Sequence, residues 1–160
     1  MAWFELDHPA TQSDKRGRLE RLGLDSGHIV FVPADFTSDD VTEALAGAGL
    51  SPGRPSLVTC EGVAVYLEAP VLERLLAQLR AAVGPGSRLA ISLSADGGGP
   101  ERAARRAQFQ AAVAALGEPA RNQLTAAQAD SLLGRTGWSI QAGGGSERAR
   151  GAGLVVAVAG

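Results

Sequence analysis

The strongest constraint on the fold is an alternation of short apolar runs with helix-like segments, in which three successive apolar runs lead to an acidic residue. The runs span residues 3–6, 29–32 and 56–60, and the acidic residues are Asp7, Asp35 and Glu61. Short runs of this kind, separated by helical segments, are typical of strands buried in a parallel α/β sheet. We therefore predict an open, mostly parallel α/β sheet that holds all three strands, with the three carboxylates along one edge.

Helix signals fill the segments between these runs. Pro9 stands where the first turn of a helix tolerates proline, and Leu19 and Leu22 predict an apolar stripe that ends at Gly23. The clearest helical periodicity runs from residue 71 to residue 83, with leucines at positions 72, 75, 76 and 79. Two capping boxes are predicted, one at Thr37 with Asp40 and one at Thr125 with Gln128. Residues 88–93, 138–140 and 154–159 are predicted strands, and residues 100–116 a helix.

Composition limits the class of protein. The 160 residues fit a single domain covering 1–160, and a net charge of −2 gives no overall attraction to nucleic acid or anionic lipid. The basic runs at residues 15–18 and 102–106 are predicted to be solvated helix faces. A lone cysteine, Cys60, excludes an internal disulfide, and no signal peptide or membrane span is visible, so we expect a cytoplasmic protein. The histidines and the cysteine lack metal-site spacing, and we predict no metal.

The three strand-end carboxylates have two interpretations. Acidic residues that follow strands often serve as helix caps or turn residues. Ligands of open α/β sheets, however, bind beyond the carboxyl ends of the strands. Ionised carboxylates only accept hydrogen bonds, so three at one edge would suit a ligand rich in donors or positive charge. The repetition at three strand ends favours the ligand site.

Several longer motifs resemble one known family. They are FELDHPATQ at residues 4–12, VPADF at residues 32–36 and CEGVAVYL at residues 60–67, supported by Leu132-Leu133 followed by Gly137-Trp138. Together they resemble the leucine carboxyl methyltransferase family, in particular its bacterial branch of S-adenosylmethionine-dependent O-methyltransferases. The resemblance implies a Rossmann-like class I methyltransferase sheet with an antiparallel last strand, methylation of a small molecule or carboxylate, and S-adenosyl-L-methionine as cofactor.

The resemblance also implies roles for individual residues. Asp7 would accept hydrogen bonds from the ribose hydroxyls, Asp35 from the adenine amino group, and Phe36 would line the adenine pocket. Glu61 would lie near the methionine part of the cofactor. Tyr66 would line the substrate site, and His8, beside Asp7, is either a further ligand contact or a structural residue. No residue is predicted to act as an acid, base or nucleophile, because direct methyl transfer depends mainly on alignment.

The chain departs from the family in one respect. Full members have, before the strand that ends at Asp7, a central first strand and a glycine-rich loop that admits the cofactor closely, and this sequence begins after that loop. Asp96-Gly97-Gly98-Gly99 follows a strand, but we expect a substrate-side loop there. Three hypotheses stay open. The chain is a methyltransferase that is incomplete as given, or a catalytically silent fragment that binds a partner or a second copy through the strand edges beside the missing strand. The third is a protein recruited to a different small-molecule reaction with the pocket rebuilt, for which the sequence offers no nucleophile or metal cluster.

Overall fold

A computed structural model describes residues 2–93, 108, 121–122, 124–140 and 154–160. The strands in these ranges are β1 (Trp3–Asp7), β2 (Ile29–Pro33), β3 (Leu57–Cys60), β4 (Arg88–Ser92), β5 (Trp138–Ile140) and β6 (Leu154–Ala159). The helices are α1 (Pro9–Arg21), α2 (Val41–Gly47), α3 (Ala69–Ala82) and α4 (Ala126–Arg135), with a 3₁₀ turn at Ala64–Tyr66. Apart from residue 108, the predicted helix at 100–116 lies outside the described residues, as do the glycine runs near 97 and 144.

The strands form two sheets in the described residues. β1 pairs with β2 in parallel, with Asp7 opposite Pro33, and the second sheet has the order β3-β4-β6-β5. β3 and β4 are parallel, whereas β6 runs antiparallel to both β4 and β5. The α/β class and the antiparallel last strand are therefore confirmed. The expectation that one parallel sheet holds the first three strands is wrong for these residues, because β1 and β3 do not pair with each other.

Helix α1 begins and ends where its sequence predicts. Pro9 occupies the first turn, the Nδ1 atom of His8 accepts a hydrogen bond from the Ala10 amide at 3.3 Å, and Gly23 follows the helix with φ of 63°. That positive φ suits glycine, which has no Cβ to clash. The predicted apolar stripe is wrong, because Leu22 is 71% exposed. The buried residue of α1 is Gln12, whose polar side chain faces β1.

The two predicted capping boxes have opposite outcomes. Thr125 and Gln128 form the reciprocal pair of hydrogen bonds at the start of α4, so that prediction is confirmed. The Thr37–Asp40 box is wrong, because Asp40 is itself the N-cap of α2 and its Oδ1 accepts from the Thr42 amide at 2.8 Å. Thr37 instead donates to Asp35 in the loop that follows β2.

The hydrophobic core centres on α3. Its four predicted leucines are all buried, at positions 72, 75, 76 and 79, and each contributes roughly 1.5–3 kcal/mol to the free energy of unfolding. Helix α2 packs beside α3 and buries Val41 and Leu45. Trp138, at the start of β5, is 1% exposed and its indole Nε1 donates to the Leu76 carbonyl at 3.0 Å. Both sheets contribute side chains to this one core.

Side chains of α3 also hold the loop after β2. Arg74 donates from Nη2 to the carbonyl oxygens of Phe36 at 2.8 Å and Thr37 at 2.6 Å. One turn further along α3, Gln78 accepts from the Val41 amide through Oε1 at 3.3 Å, and its carbonyl accepts from the Thr42 hydroxyl at 3.1 Å. The β1–β2 sheet is thus joined to the rest of the protein through the contact between α2 and α3.

The turn between α3 and β4 fixes where β3 and β4 begin. The Gly84 amide donates to the Arg54 carbonyl at 3.0 Å, and the Ser56 amide donates to Ser87 Oγ at 2.9 Å. The same Ser87 hydroxyl donates to the Gly84 carbonyl at 2.6 Å. Ser87 is buried, so its hydroxyl satisfies backbone groups that water cannot reach.

Candidate functional site

The structure brings Asp7 and Asp35 to the same edge of the β1–β2 sheet. Asp7 is the last residue of β1, and Asp35 follows the last residue of β2 by two positions. The Ala34 amide donates to the Asp7 carbonyl at 3.0 Å, which carries the parallel pairing one residue past β2. Both carboxylates are half-buried at the carboxyl ends of parallel strands. In open α/β sheets this is the side on which ligands bind.

The Asp7 carboxylate is held at both oxygens. Its Oδ1 accepts from the His8 amide at 2.8 Å, and its Oδ2 lies 3.2 Å from Lys15 Nζ. Each carboxylate oxygen can accept a further hydrogen bond. Asp7 can therefore still accept from two neighbouring hydroxyls. The His8 ring is exposed, and its Nδ1 accepts from the Ala10 amide at the start of α1.

The basic run at residues 15–18 is only partly the solvated face that its sequence predicts. Arg18 is exposed and pairs with Asp14 one turn earlier on the helix. Lys15, in contrast, reaches back to β1 and pairs with Glu5 and Asp7. The Arg16 guanidinium lies over the Phe31 ring at 5.4 Å from its centroid. Charge spacing alone could not reveal the contacts of Lys15 and Arg16, because their partners lie on β1 and β2.

Asp35 forms a tight turn with Thr37. Its Oδ1 accepts from the Thr37 hydroxyl at 2.7 Å and from the Thr37 amide at 2.9 Å. These two hydrogen bonds lower the pKa of the Asp35 carboxyl below its ordinary value, and the bond from the hydroxyl has the larger effect. In the described part of the chain no hydrogen bond reaches Asp35 Oδ2, so that oxygen can accept from a ligand. Phe36 is half-buried and packs against the core while its carbonyl accepts from Arg74.

Glu61 and Tyr66 lie beyond the carboxyl end of β3, in the other sheet. Glu61 is exposed, and the next amide, that of Gly62, donates to Ser92 Oγ at 2.9 Å and so links the ends of β3 and β4. Tyr66 is half-buried in the 3₁₀ turn that follows. Asp7 and Asp35 thus stand at the ends of two paired strands, whereas Glu61 follows a strand of the other sheet.

Asn122 is a buried polar residue that the sequence did not reveal. The amides of Arg121 and Asn122 donate to the Val65 carbonyl at 2.8 and 3.1 Å, which holds this segment against the 3₁₀ turn. Asn122 is 7% exposed, and its side-chain Nδ2 has no hydrogen-bond partner among the described residues. An asparagine between an arginine and a glutamine carries no periodic signal, so only the packing shows that it is buried.

Other side-chain chemistry in the described residues is sparse. Cys60 is buried at the end of β3, and burial raises the pKa of its thiol to about 11. It therefore carries almost no thiolate at neutral pH. The described residues contain no group of three His, Cys, Asp or Glu side chains that could hold a metal ion. In the same ranges, every helix is too short or too polar to cross a bilayer.

Comparison with known proteins identifies similar sequences among methyltransferases. Residues 1–80 match the family model of leucine carboxyl methyltransferase. A Mycolicibacterium smegmatis protein, named as an S-adenosyl-L-methionine-dependent methyltransferase, is 35% identical over 156 residues, which cover 87% of this chain and 47% of the relative. A Mycobacterium avium protein of the same name is 34% identical over 71% of this chain and 36% of its own length. The chain thus spans less than half the length of these relatives.

Solved structures support the fold. TnmH aligns with the whole chain and 43% of its own length at a TM-score of 0.64 and 20% identity. Magnesium protoporphyrin IX methyltransferase from Synechocystis, solved with bound SAH, aligns with 99% of this chain and 64% of its own at a TM-score of 0.59 and 13% identity. These similarities show a Rossmann-like class I methyltransferase fold. The match of residues 1–80, half of the chain, to the family model shows that the chain belongs to the leucine carboxyl methyltransferase family.

Proposed function

We propose that this chain carries the adenosine-binding part of an S-adenosylmethionine-dependent methyltransferase that acts on a hydroxyl or carboxylate of a small molecule. The observation that carries the proposal is the pair of half-buried carboxylates, Asp7 and Asp35, at the carboxyl ends of adjacent parallel strands. When bound, the cofactor supplies a methyl group on a sulfonium. A cytoplasmic location is part of the same proposal.

The described residues fit the adenosine part of the cofactor. Ribose presents two neighbouring O–H donors, and the Asp7 carboxylate has an acceptor site left on each oxygen. Adenine presents an amino group, and Asp35 Oδ2 accepts nothing else from the described chain. Phe36 adds a half-buried aromatic ring directly after Asp35. Glu61 and Tyr66 are proposed to face the methionine part and the methyl acceptor, because they follow the next strand in sequence.

Affinity should be low for the 160-residue chain alone. In the described residues no strand pairs with the free edge of β1 or of β3, and no glycine-rich loop follows a strand end. Close backbone contacts to the methionine part are therefore lacking there. A hydrogen bond to a charged group contributes about 1.5–3 kcal/mol. Losing two or three of them weakens binding by several orders of magnitude, since about 1.4 kcal/mol is tenfold. We expect a Kd for S-adenosylhomocysteine no lower than about millimolar, and no methyl transfer.

The test is a titration of the purified chain with S-adenosylhomocysteine and, separately, with 5′-methylthioadenosine, which lacks the amino-acid part. Two-dimensional NMR monitors both titrations. We expect similar weak affinities for both, and loss of both in Asp7→Asn. Asp14→Asn, which removes an exposed carboxylate from α1, is the matched control and should bind as the wild type. Micromolar binding of S-adenosylhomocysteine would refute the incompleteness, and unchanged binding by Asp7→Asn would refute the site.

A second candidate function is favoured by the unpaired strand edges. β1 and β3 each have one edge without a strand partner in the described residues, and Trp3 and Leu57, at their starts, are 54% and 66% exposed. Exposed edges of this kind pair readily with another strand. The chain could then act as a silent subunit that takes one strand from a partner or from a second copy.

The coding sequence upstream of this chain distinguishes the two candidate functions. In-frame upstream sequence coding for a strand and a glycine-rich loop would support a single longer enzyme. A separate neighbouring gene coding for them would support a split enzyme. Sedimentation of the purified chain between about 5 and 200 µM tests self-pairing, because edge-to-edge association of copies is concentration-dependent. A monomer throughout that range would refute pairing between copies.

A further inference from the structure

A polar cluster lies between β1 and α1, behind the Asp7 carboxylate. Glu5 and Asp7 are two residues apart on a strand and therefore share a face. Gln12 and Lys15 are three residues apart on α1 and share a face of the helix. These two faces meet, so that the Lys15 ammonium pairs with Glu5 Oε1 and lies 3.2 Å from Asp7 Oδ2.

Gln12 fixes the far side of this cluster. It is 3% exposed, and its Nε2 donates to the Glu5 carbonyl at 3.0 Å and to Glu5 Oε2 at 2.8 Å. The Glu5 carboxylate therefore has one oxygen on Gln12 and the other on Lys15. Because Glu5 is held in this way, the ammonium that it binds is also held in place. The Lys15 side chain is 43% exposed, and its ammonium has two carboxylate partners.

The charges of the cluster favour an ionised Lys15. Two carboxylates surround one ammonium, and the hydrogen bond to Glu5, followed by that to Asp7, raises the pKa of Lys15 above its ordinary value. Arg16 lies over Phe31, and Arg18 pairs with Asp14. Among the described side chains the ammonium of Lys15 is thus the cation that contacts Asp7.

We propose that Lys15 is a positioning residue for the cofactor: it holds the Asp7 carboxylate in the orientation that accepts the ribose hydroxyls. Lys15 holds Oδ2 while the His8 amide holds Oδ1 at 2.8 Å. With one donor on each oxygen, the carboxylate plane cannot rotate freely, and the remaining acceptor sites keep a fixed direction. Preorganised acceptors bind a diol without first losing side-chain entropy. This inference rests on the proposed function.

A merely structural Lys15 would have different consequences. An ion pair that only attaches α1 to β1 would change stability and leave the preference between ligands unaltered. A positioning residue changes the part of the affinity that depends on ribose. The distinguishing quantity is therefore the ratio of the affinities for 5′-methylthioadenosine and for adenine, which lacks the ribose.

The experiment compares Lys15→Met, Lys15→Arg and a matched control, Arg18→Met, which removes an equal charge from the exposed face of the same helix. Each variant of the full chain is titrated with 5′-methylthioadenosine and with adenine, followed by NMR. We expect Lys15→Met to bind the nucleoside about tenfold more weakly and adenine unchanged. Lys15→Arg should regain most of the loss, and Arg18→Met should match the wild type.

A ligand-free measurement keeps the two proposals distinguishable. The His8 amide proton reports on Asp7 Oδ1, and we expect its resonance to move upfield in Lys15→Met and not in Arg18→Met. If the wild type shows no ribose-dependent binding, the proposed function fails and the cofactor role of Lys15 fails with it. This resonance then still shows whether Lys15 orients the Asp7 carboxylate. An unchanged His8 resonance, or an equal loss of adenine and nucleoside affinity in Lys15→Met, would overturn the inference.

Discussion

Replacing Gly84 by alanine tests the contact that fixes the starts of β3 and β4. A Cβ atom on Gly84 would lie 2.0 Å from the Gly53 carbonyl oxygen and 2.4 Å from its carbon, whereas ordinary van der Waals contact begins at 3.4 Å. The φ of Gly84 is outside the left-handed region, so the obstacle is space rather than backbone conformation. The loop before β3 must therefore retreat by more than an ångström.

The cost has two parts. Overpacking of a tight site costs about 1–3 kcal/mol. The retreat also lengthens the hydrogen bond from the Gly84 amide to the Arg54 carbonyl, worth about 1 kcal/mol. We expect Gly84→Ala to lower the free energy of unfolding by about 2–4 kcal/mol, a large share of the roughly 5–15 kcal/mol typical of a domain.

Urea unfolding, monitored by tryptophan fluorescence, measures this change in the free energy of unfolding, because the buried Trp138 reports on the core. With a slope of about 1.5 kcal/mol per molar, the midpoint should fall by roughly 2 M. Gly134→Ala is the control: Gly134 lies in α4, and a Cβ added there would have no atom within 4 Å, so alanine should add up to about 1 kcal/mol of stability. A Gly84→Ala variant within about 0.5 kcal/mol of the wild type would refute the reasoning.

Single side chains allow three further predictions. Asn122→Leu should leave stability unchanged or raise it by up to about 1 kcal/mol in urea unfolding, because the buried amide nitrogen has no partner to lose among the described residues. Cys60 should react with a thiol reagent at pH 8 at least about 100-fold more slowly in the native than in the urea-unfolded chain, since thiolate forms only as the pH approaches about 11; equal rates would contradict its burial. Thr37→Val should raise the pKa of Asp35, measured by ¹³C NMR, and Thr37→Ser should not, because the hydroxyl is the largest cause of the lowered value. The turn between Asp35 and Thr37 stabilises the folded chain above the ordinary aspartate pKa, and this contribution is lost as the pH falls through the lowered pKa. Thr37→Val should therefore reduce the loss of stability on acidification.

Local features of the fold were predictable from the sequence. The leucine periodicity of α3, the proline at the start of α1 and the Thr125–Gln128 box depend on neighbours within one or two helical turns. The failures concern partners that are distant in sequence or compete for the same group. Leu22 follows the last residue of α1 and is exposed, while the buried residue of α1 is Gln12, which contacts β1. Thr37 is not part of a cap, because its hydroxyl donates to Asp35.

The candidate site shows the same division. Asp7 and Asp35 come together because their strands are parallel neighbours, which the alternation of strands and helices predicts. Glu61 follows a strand of the other sheet. The residue pattern did not reveal this, because which strands pair depends on contacts between segments that are distant in sequence. Lys15 belongs to a basic run in the sequence, and only the packing of α1 on β1 reveals that it contacts Glu5 and Asp7.

The junction through α2 and α3 has a consequence for hydrogen exchange. The β1–β2 pair is held to the larger sheet mainly by that helix contact and by Arg74 and Gln78. β4, in contrast, has a strand on each side. Segments with fewer buried contacts open as cooperative units below the free energy of global unfolding. Amide protons of β2 should therefore exchange through a partial opening that leaves β4 protected, so that the edge carrying Asp7 and Asp35 unfolds before the larger sheet does.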